Sequence, residues 1–139
     1  MNETTVLRPL QTGVTAAVAA STAPTLPVKY LGRIFTPPND QKYLEVVHIP
    51  NNPSNKSWGG SENWRGLMRL ILHWPLDDKG VYAPHDLIAG IAGYFSKDRL
   101  LWNGANAVKI TENPISSGVI VGDREQLFVF TVEYALFKP

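Results

Sequence analysis

The chain has 139 residues and a mass of 15.4 kDa, the size of one ordinary domain. Apolar residues make up 44% of it and charged residues 18%, which excludes an intrinsically disordered chain. It contains no cysteine, so disulfides, thiolate catalysis and zinc fingers are excluded. Thirteen Lys and Arg against twelve Asp and Glu give a net charge of +1, without the basic excess of a free-standing nucleic-acid binder. We therefore expect a single domain spanning residues 1–139.

The N-terminal segment resembles a signal peptide only at Ala17-Val18-Ala19, which has the A-x-A form, and it lacks a cationic flank and a Leu-rich core. Met1–Thr5 contains no basic residue, and the Ala- and Thr-rich stretch of residues 12–23 is short and weakly apolar. Apolar residues at three- and four-residue spacing instead predict a helix over residues 4–22. They are Val6, Leu7, Leu10, Val14, Ala17 and Val18. We expect a soluble chain with no membrane partner.

Two strands and a long connection are predicted next. After the proline-containing break of residues 23–27, Val28–Thr36 and Lys42–Ile49 show the alternating pattern of strands. The fourteen residues Pro50–Asn63 follow, rich in Asn, Ser and Gly. A patternless connection of this length inside a compact domain usually has a function.

The middle of the chain predicts a half-buried strand and then a helix. Trp64–Trp74 alternates between an apolar face and a face that carries two arginines and a histidine. An apolar stripe over Pro84–Phe95 predicts a helix, with the proline in its first turn. Gly90 and Gly93 are interpreted as places where this helix approaches a sheet closely.

Three more strands are predicted toward the C-terminus, at Asn106–Glu112, Val119–Val121 and Glu125–Phe137. The last is apolar on one face and partly apolar on the other, which predicts a central strand. The fold class is therefore α+β: a mainly antiparallel sheet of about five to six strands, with an N-terminal helix and a central helix packed on it.

No residue pattern predicts catalysis or metal binding. His48, His73 and His85 are isolated in the sequence, and none has the spacing of a metal site. No nucleophile, base and orienting group come together in a motif. We expect no catalytic residues, no metal, no cofactor and no enzyme activity.

Aromatic and cationic residues cluster around the long connection and the third strand. They are Trp58, Trp64, Arg65, Arg69 and Trp74. Trp and Arg are enriched at protein–protein hot spots, and they can also stack on single-stranded nucleic acid. The near-zero net charge favours a protein partner. The sequence leaves open whether Trp64 and Trp74 are core residues instead of interface residues.

The chain resembles the tail terminator (tail completion) family of long-tailed bacteriophages, proteins similar in fold to the lambda tail terminator. The resemblance covers roughly residues 5–137 and lies in the order of five segments, each generic by itself. They are Tyr43–Val46 after a Pro-rich turn, the alternating strand Leu67–Leu72 after a polar insertion, the helix Pro84–Phe95, Val108–Ile110, and the final strand through Val132–Tyr134.

The resemblance implies a structural role in the virion. Members of the family form a hexameric ring on the last ring of major tail tube protein, end tube polymerisation and present a surface to a head-side neck or connector protein. Genomic DNA passes through the lumen without sequence-specific binding. The expected location is the head–tail junction of the tail, after assembly in the host cytoplasm.

A ring requires a head-to-tail interface, and the long connection is our candidate for it. We expect Pro50–Asn63 to project from the sheet and contact a neighbouring subunit or the tube, with Trp58 as the anchor. The candidate interface residues are Asn55, Lys56, Trp58, Arg65 and Arg69. The two arginines either line a passage for DNA or pair with acidic residues of a partner.

Other functions remain open at this stage. One alternative is another phage neck, head-completion or minor tail protein, which has the same kind of role and a different partner. A second is a small module that binds a peptide or a single-stranded nucleic acid, for which a steep salt dependence of oligonucleotide binding would be the signature.

Overall fold

The structure is a computed structural model of the whole chain. It describes the backbone of residues 3–50, 54–55, 62–63, 65–76, 80–104 and 106–137, and within these the side chains of residues 6–50, 65–76, 80–102, 104 and 107–136. Among the described residues no helix is long and apolar enough to cross a membrane.

The N-terminal helix α1 spans Glu3–Ala19 and buries the predicted apolar stripe. Since the helix begins at Glu3, Pro9 lies in its second turn, and the helix lacks the backbone hydrogen bond that a residue other than proline would donate there. Gly13 is where α1 comes closest to its neighbours. A Cβ there would lie 3.1 Å from Phe95 and 3.3 Å from Leu101, so a larger residue would crowd both.

The remaining elements follow the predicted order with additions. The first strands are β1 (Val28–Lys29), β2 (Tyr43–Pro50), β3 (Ser54–Asn55), β4 (Glu62–Asn63) and β5 (Arg65–Pro75). The helix α2 (Tyr82–Gly93) comes next, and the chain ends with β6 (Leu100–Asn103), β7 (Asn106–Ile110), β8 (Ile115–Val121) and β9 (Glu125–Phe137).

Seven strands form one sheet in the order β1-β2-β5-β9-β7-β6, and β8 also pairs with β9. Every pairing is antiparallel except that of β1 with β2. The strand β9 is central, as predicted: β5 pairs along Glu125–Ala135 on one side, and β7 and β8 share the other side. The α+β fold class is confirmed.

Both helices cover the same face of the sheet. Because side chains alternate along a strand, the even-numbered residues of β2, β5, β7 and β9 face α1 and α2. These residues form the core together with the apolar stripes of the two helices. The largest fully buried side chains are Phe95, Phe128, Leu10, Leu44, Met68, Leu70, Leu72, Ile88, Ile91 and Ile110. The opposite face of the sheet carries neither helix.

The prediction of a strand over Val28–Thr36 is wrong beyond Lys29. The chain turns at Tyr30–Arg33, where Gly32 has a φ of +77° that a strand residue does not adopt. The hydroxyl of Tyr30 is hydrogen-bonded to Thr15 of α1, so tertiary contacts hold this segment against the helix. Ile34 is fully exposed as a result.

The interpretation of Gly90 and Gly93 as close-approach sites is also wrong. Both are exposed on the outer side of α2, and a Cβ on either would meet nothing within 4 Å. The close approaches occur instead at Gly13 and, in β5, at Gly66. A Cβ on Gly66 would lie 2.5 Å from the hydroxyl oxygen of Tyr134 and 2.8 Å from the carbonyl oxygen of Ile49.

Candidate interaction surfaces

The helix-free face of the sheet has a mixed polar and apolar surface. Its residues come from the odd positions of β2, β5, β7 and β9, since residues opposite each other in a ladder point to the same face. Most of them are half-buried rather than buried, including Val47, Ile49, Leu67 and Ile71. A face of this kind has room to pack against another molecule.

Arg65 and Arg69 lie on this face, as the alternation in the sequence predicted. Both are exposed. Arg69 stands opposite Val47 and Thr131 in the two neighbouring ladders, and Arg65 stands opposite Ala135. Among the residues that the structure describes, Arg69 makes no ion pair. Its guanidinium is therefore available to an acidic group or a phosphate from outside the chain.

A polar cluster at the other end of this face was not predicted. Nε2 of His73 lies 3.0 Å from a carboxylate oxygen of Glu45, and Nδ1 lies 3.4 Å from one of Glu125. The ring of His73 stacks on Tyr43 with centroids 4.2 Å apart, and Lys29 lies 3.5 Å from Glu45. Each nitrogen of His73 donates when it carries a proton, because carboxylates only accept.

The cluster shifts the acidity of its members. Burial acts to raise the pKa of Glu45, but the hydrogen bond from His73 and the charge of Lys29 outweigh it, so the pKa lies below its ordinary value. Burial raises the pKa of Tyr43, and the charges of Glu125 and Glu45 add to this shift. The cluster thus links β2, β5 and β9 by charge and hydrogen bonds.

Sequence reasoning missed the cluster because its members are far apart along the chain. Glu45, His73 and Glu125 come from three strands, and they meet only through the ladder registers Glu45–Ile71 and His73–Leu127. The sequence did contain one signal. All three are odd-numbered residues of paired strands, so they belong to the same face of the sheet. No group of three or more His, Asp and Glu residues in the described part of the chain can hold a metal ion.

The predicted long connection contains a small hairpin. Ser54 pairs with Asn63 and Asn55 pairs with Glu62, which makes β3 and β4 a two-stranded sheet of their own. Asn55 therefore lies on a strand of this hairpin. Lys56 and Trp58 lie between the two strands in the sequence and outside the described residues. Trp64, which follows β4, also lies outside the described residues.

A depression of about 430 Å³ lies where β5 begins. It is lined by Arg65, Gly66, Leu67, Thr111, Glu112, Glu133 and Tyr134. The hydroxyl of Tyr134 is hydrogen-bonded to Nε2 of His48, which ties β9 to β2 across Gly66. The lining contains one cationic residue, Arg65, and two carboxylates, Glu112 and Glu133. It contains no histidine or cysteine that would serve as a catalytic base or nucleophile.

The strand β8 forms an exposed edge of the sheet. All seven of its residues are exposed, and four of them are large aliphatic residues. Ile115 and Ile120 stand opposite Thr131 and Leu127 on the helix-free face. Val119 stands opposite Phe128, on the face that the helices cover.

Trp74 is confirmed as a residue that flanks the core. It is partly buried against the core cluster, and Nζ of Lys42 lies 4.4 Å from the centre of its ring. The three histidines are all in packed environments: His48 contacts Tyr134, His73 lies in the charged cluster, and His85 stacks on Phe128 at 6.0 Å.

Among the described residues, the sheet has one face without a helix and one exposed aliphatic edge, and surfaces of this kind favour contacts with other macromolecules. The family model described as "phage tail terminator protein" matches residues 10–134. The chain therefore belongs to the phage tail terminator family, a family of structural virion proteins. It is a structural protein of the bacteriophage tail, interacts with tail components, and has its place in the virion tail.

The other comparisons concern the fold and the sequence separately. A solved structure that carries no functional description is similar to this chain with a TM-score of 0.82 and 22% sequence identity. The match covers 100% of this chain and 99% of that one, so the two share the fold over their whole lengths. No curated protein sequence matches the chain.

Proposed function

We propose that residues 1–139 act as one tail-terminator domain, which assembles as a hexameric ring on the end of the tail tube. The ring stops polymerisation of the major tail tube protein and presents its other side to a head-side neck or connector protein. Genomic DNA passes through the lumen without sequence-specific contacts. Assembly takes place in the host cytoplasm, and the ring then remains at the head–tail junction.

The family match over residues 10–134 carries this proposal, because it spans the C-terminal part of α1, all of α2 and most of the sheet. The geometry supports it in two ways. The bare sheet face and the β8 edge provide surfaces for protein contacts. Within the hairpin region, the candidate residues Asn55, Lys56 and Trp58 would contact a neighbouring subunit or the tube, while Arg65 and Arg69 would meet acidic groups of a partner or the DNA.

Tube polymerisation in the presence of the chain tests the proposal. Purified major tail tube protein of the same phage is polymerised with and without this chain, and tube lengths are measured by electron microscopy. We expect shorter tubes that stop growing once the chain is added, with each tube capped at one end. Tubes that lengthen equally with and without the chain would contradict the proposal and favour a different neck or minor tail role.

A further inference from the structure

Within the described part of the chain, the β8 edge lacks the charged residues, proline and covering strand that usually keep exposed strands from pairing, although a β-bulge between Ser116 and Val119 interrupts its register with β9. Its residues Ile115–Val121 include no charged residue and no proline, and its aliphatic side chains are 39–64% exposed. One edge of β8 pairs with β9, and no other described strand pairs with its second edge. Natural proteins protect such edges with lysine, proline or a covering element, so an apolar bare edge indicates a partner.

The opposite side of the same sheet has a matching open edge. The short strand β1 pairs only with Leu44 and Glu45, so no described strand covers the outer edge of β2 beyond these two residues. This uncovered part of β2, residues 46–50, contains no Asp, Glu, Lys or Arg, and it ends in Pro50, which has no N–H to donate to a further strand.

Exposed aliphatic residues also accompany this second edge. Leu31, which follows β1, is 60% exposed, and Ile34 in the turn after it is fully exposed. Val46 of β2 and Leu31 line the same small gap beside α1, so the turn lies next to the β2 edge. Both lateral sides of the sheet thus combine an open strand edge with large exposed aliphatic side chains.

The two sides carry rim charges of opposite sign, although Lys29 already pairs with Glu45 at 3.5 Å and the exposed Arg124 stands next to Asp123. Glu112 precedes β8 and Asp123 follows it, and both are exposed. Beside β1, Arg33 is exposed and Lys29 is half-buried. Pairs of this kind at the rim of an interface set its orientation and speed encounter more than they add affinity.

We propose that the β8 edge of one copy of this chain docks on the β1–β2 side of the next copy, with Ile34 and Leu31 packing against the aliphatic residues of β8. This inference rests on the proposed ring and names its subunit contact. Two different surfaces of one chain make a head-to-tail contact, which generates a ring when the rotation closes. Their positions at opposite sides of one sheet let strand pairing continue from copy to copy.

Cross-linking tests this contact directly, because the chain has no cysteine that would react elsewhere. The double variant Ile34→Cys/Ile120→Cys is assembled on tubes of the major tail tube protein and treated with a short bis-maleimide. We expect a ladder of covalent species that ends at the hexamer. The matched controls are the single variants Ile34→Cys and Ile120→Cys, which should stay monomeric because a head-to-tail contact keeps identical residues apart.

The outcomes separate this inference from the proposed function. Rings on the tubes without a cross-linked ladder would overturn the β8 contact and leave the terminator role intact. Dimers from either single variant would indicate a two-fold contact and overturn it as well. If no multimer forms in the presence of tubes, the ring itself is wrong, and the contact falls with it.

Charge substitution provides a second test that does not need a cross-linker. Ile120→Lys places a cation in the proposed contact, and we expect ring assembly to weaken by about tenfold or more. Adding Ile34→Glu in the same chain should restore assembly through an opposite-charge pair. Circular dichroism and thermal unfolding of the monomer check that Ile120→Lys folds, as its exposed position predicts. Unchanged assembly of Ile120→Lys, or no rescue by Ile34→Glu, would contradict the contact.

Discussion

Gly66 and Gly90 have opposite environments in the structure. Gly66 lies in β5 beneath Tyr134, where a Cβ would come within 2.8 Å of the carbonyl oxygen of Ile49. Gly90 lies on the exposed side of α2, where a Cβ would touch nothing. The first glycine is required by packing, and the second only costs the helix conformational entropy.

We therefore expect opposite effects of the same substitution at these positions. Gly90→Ala should raise the free energy of unfolding by about 0.5–1 kcal/mol, because alanine favours the helix and restricts the unfolded chain. Gly66→Ala should lower it by about 1–3 kcal/mol, because the backbone carbonyl cannot move aside easily. Urea unfolding of both variants measures this. A loss of stability in Gly90→Ala would show that the outer side of α2 is packed.

The charged cluster makes a separate prediction for acid stability. A carboxyl whose pKa is lowered on folding stabilises the protein fully above its unfolded pKa, and the contribution is lost as the pH falls through the folded pKa. The pKa of Glu45 is lowered in this way. We expect the free energy of unfolding to fall as the pH drops below about 4.5, the ordinary value for this group.

Substitution of the carboxyl isolates its share of that loss. Glu45→Gln should be less stable than the parent at neutral pH and should lose less stability on acidification. Glu112→Gln, at an exposed carboxyl outside the cluster, is the matched control and should follow the parent. Urea unfolding over a pH series gives the comparison. Parallel curves for Glu45→Gln and the parent would show that His73 and Lys29 do not stabilise the carboxylate.

At the scale of elements, the hairpin β3–β4 lies in the long connection for which the sequence analysis predicted a function. Trp58 lies in the segment between its two strands. Large aromatic residues dominate the energetics of protein contacts when a partner buries them. The hairpin therefore remains our candidate for a contact with the tube or with a neighbouring subunit.

Trp58→Ala tests the hairpin. We expect assembly on tail tubes to weaken by about tenfold or more, with thermal unfolding of the monomer unchanged. Trp102→Ala is the matched control, because Trp102 is an exposed tryptophan on β6, at another edge of the sheet. Co-sedimentation with tubes measures binding of both variants. Equal binding of Trp58→Ala and the parent would refute the anchor role.

Strong periodicity made some elements predictable from the sequence. The bounds predicted for β9 agree with the structure, because thirteen residues alternate without interruption. The face of β5 that carries Arg65 and Arg69 was predicted by the same alternation. The class α+β followed from the order of such elements.

Other elements depend on tertiary contacts or on short signals. The strand predicted at Val28–Thr36 shrinks to two residues because Tyr30 bonds to α1 and the chain turns at Gly32. The four-residue β6 was missed, although Asn103-Gly104 is a hairpin signal and Gly104 has a φ of +64°. The strand β8 is longer than predicted because Gly118 lies in a bulge rather than at a boundary.

At the scale of the whole molecule, the covered face of the sheet stabilises the fold, and the bare face and edges are left for contacts. Both helices lie on one side, so the core is complete within one chain. The two lateral edges are open on opposite sides, which suits repetition around an axis. The site residues of such a protein are hard to predict from one sequence, because in the proposed ring the surfaces that complete them belong to other copies.

The most direct test of this account is the symmetry of the capped tube end. Tubes of the major tail tube protein are assembled with this chain, and the capped end is averaged by cryo-electron microscopy. The account predicts a sixfold ring of this chain, with six copies of 15.4 kDa adding about 92 kDa. A single copy bound at the tube end, or copies scattered along the tube wall without a ring, would contradict it.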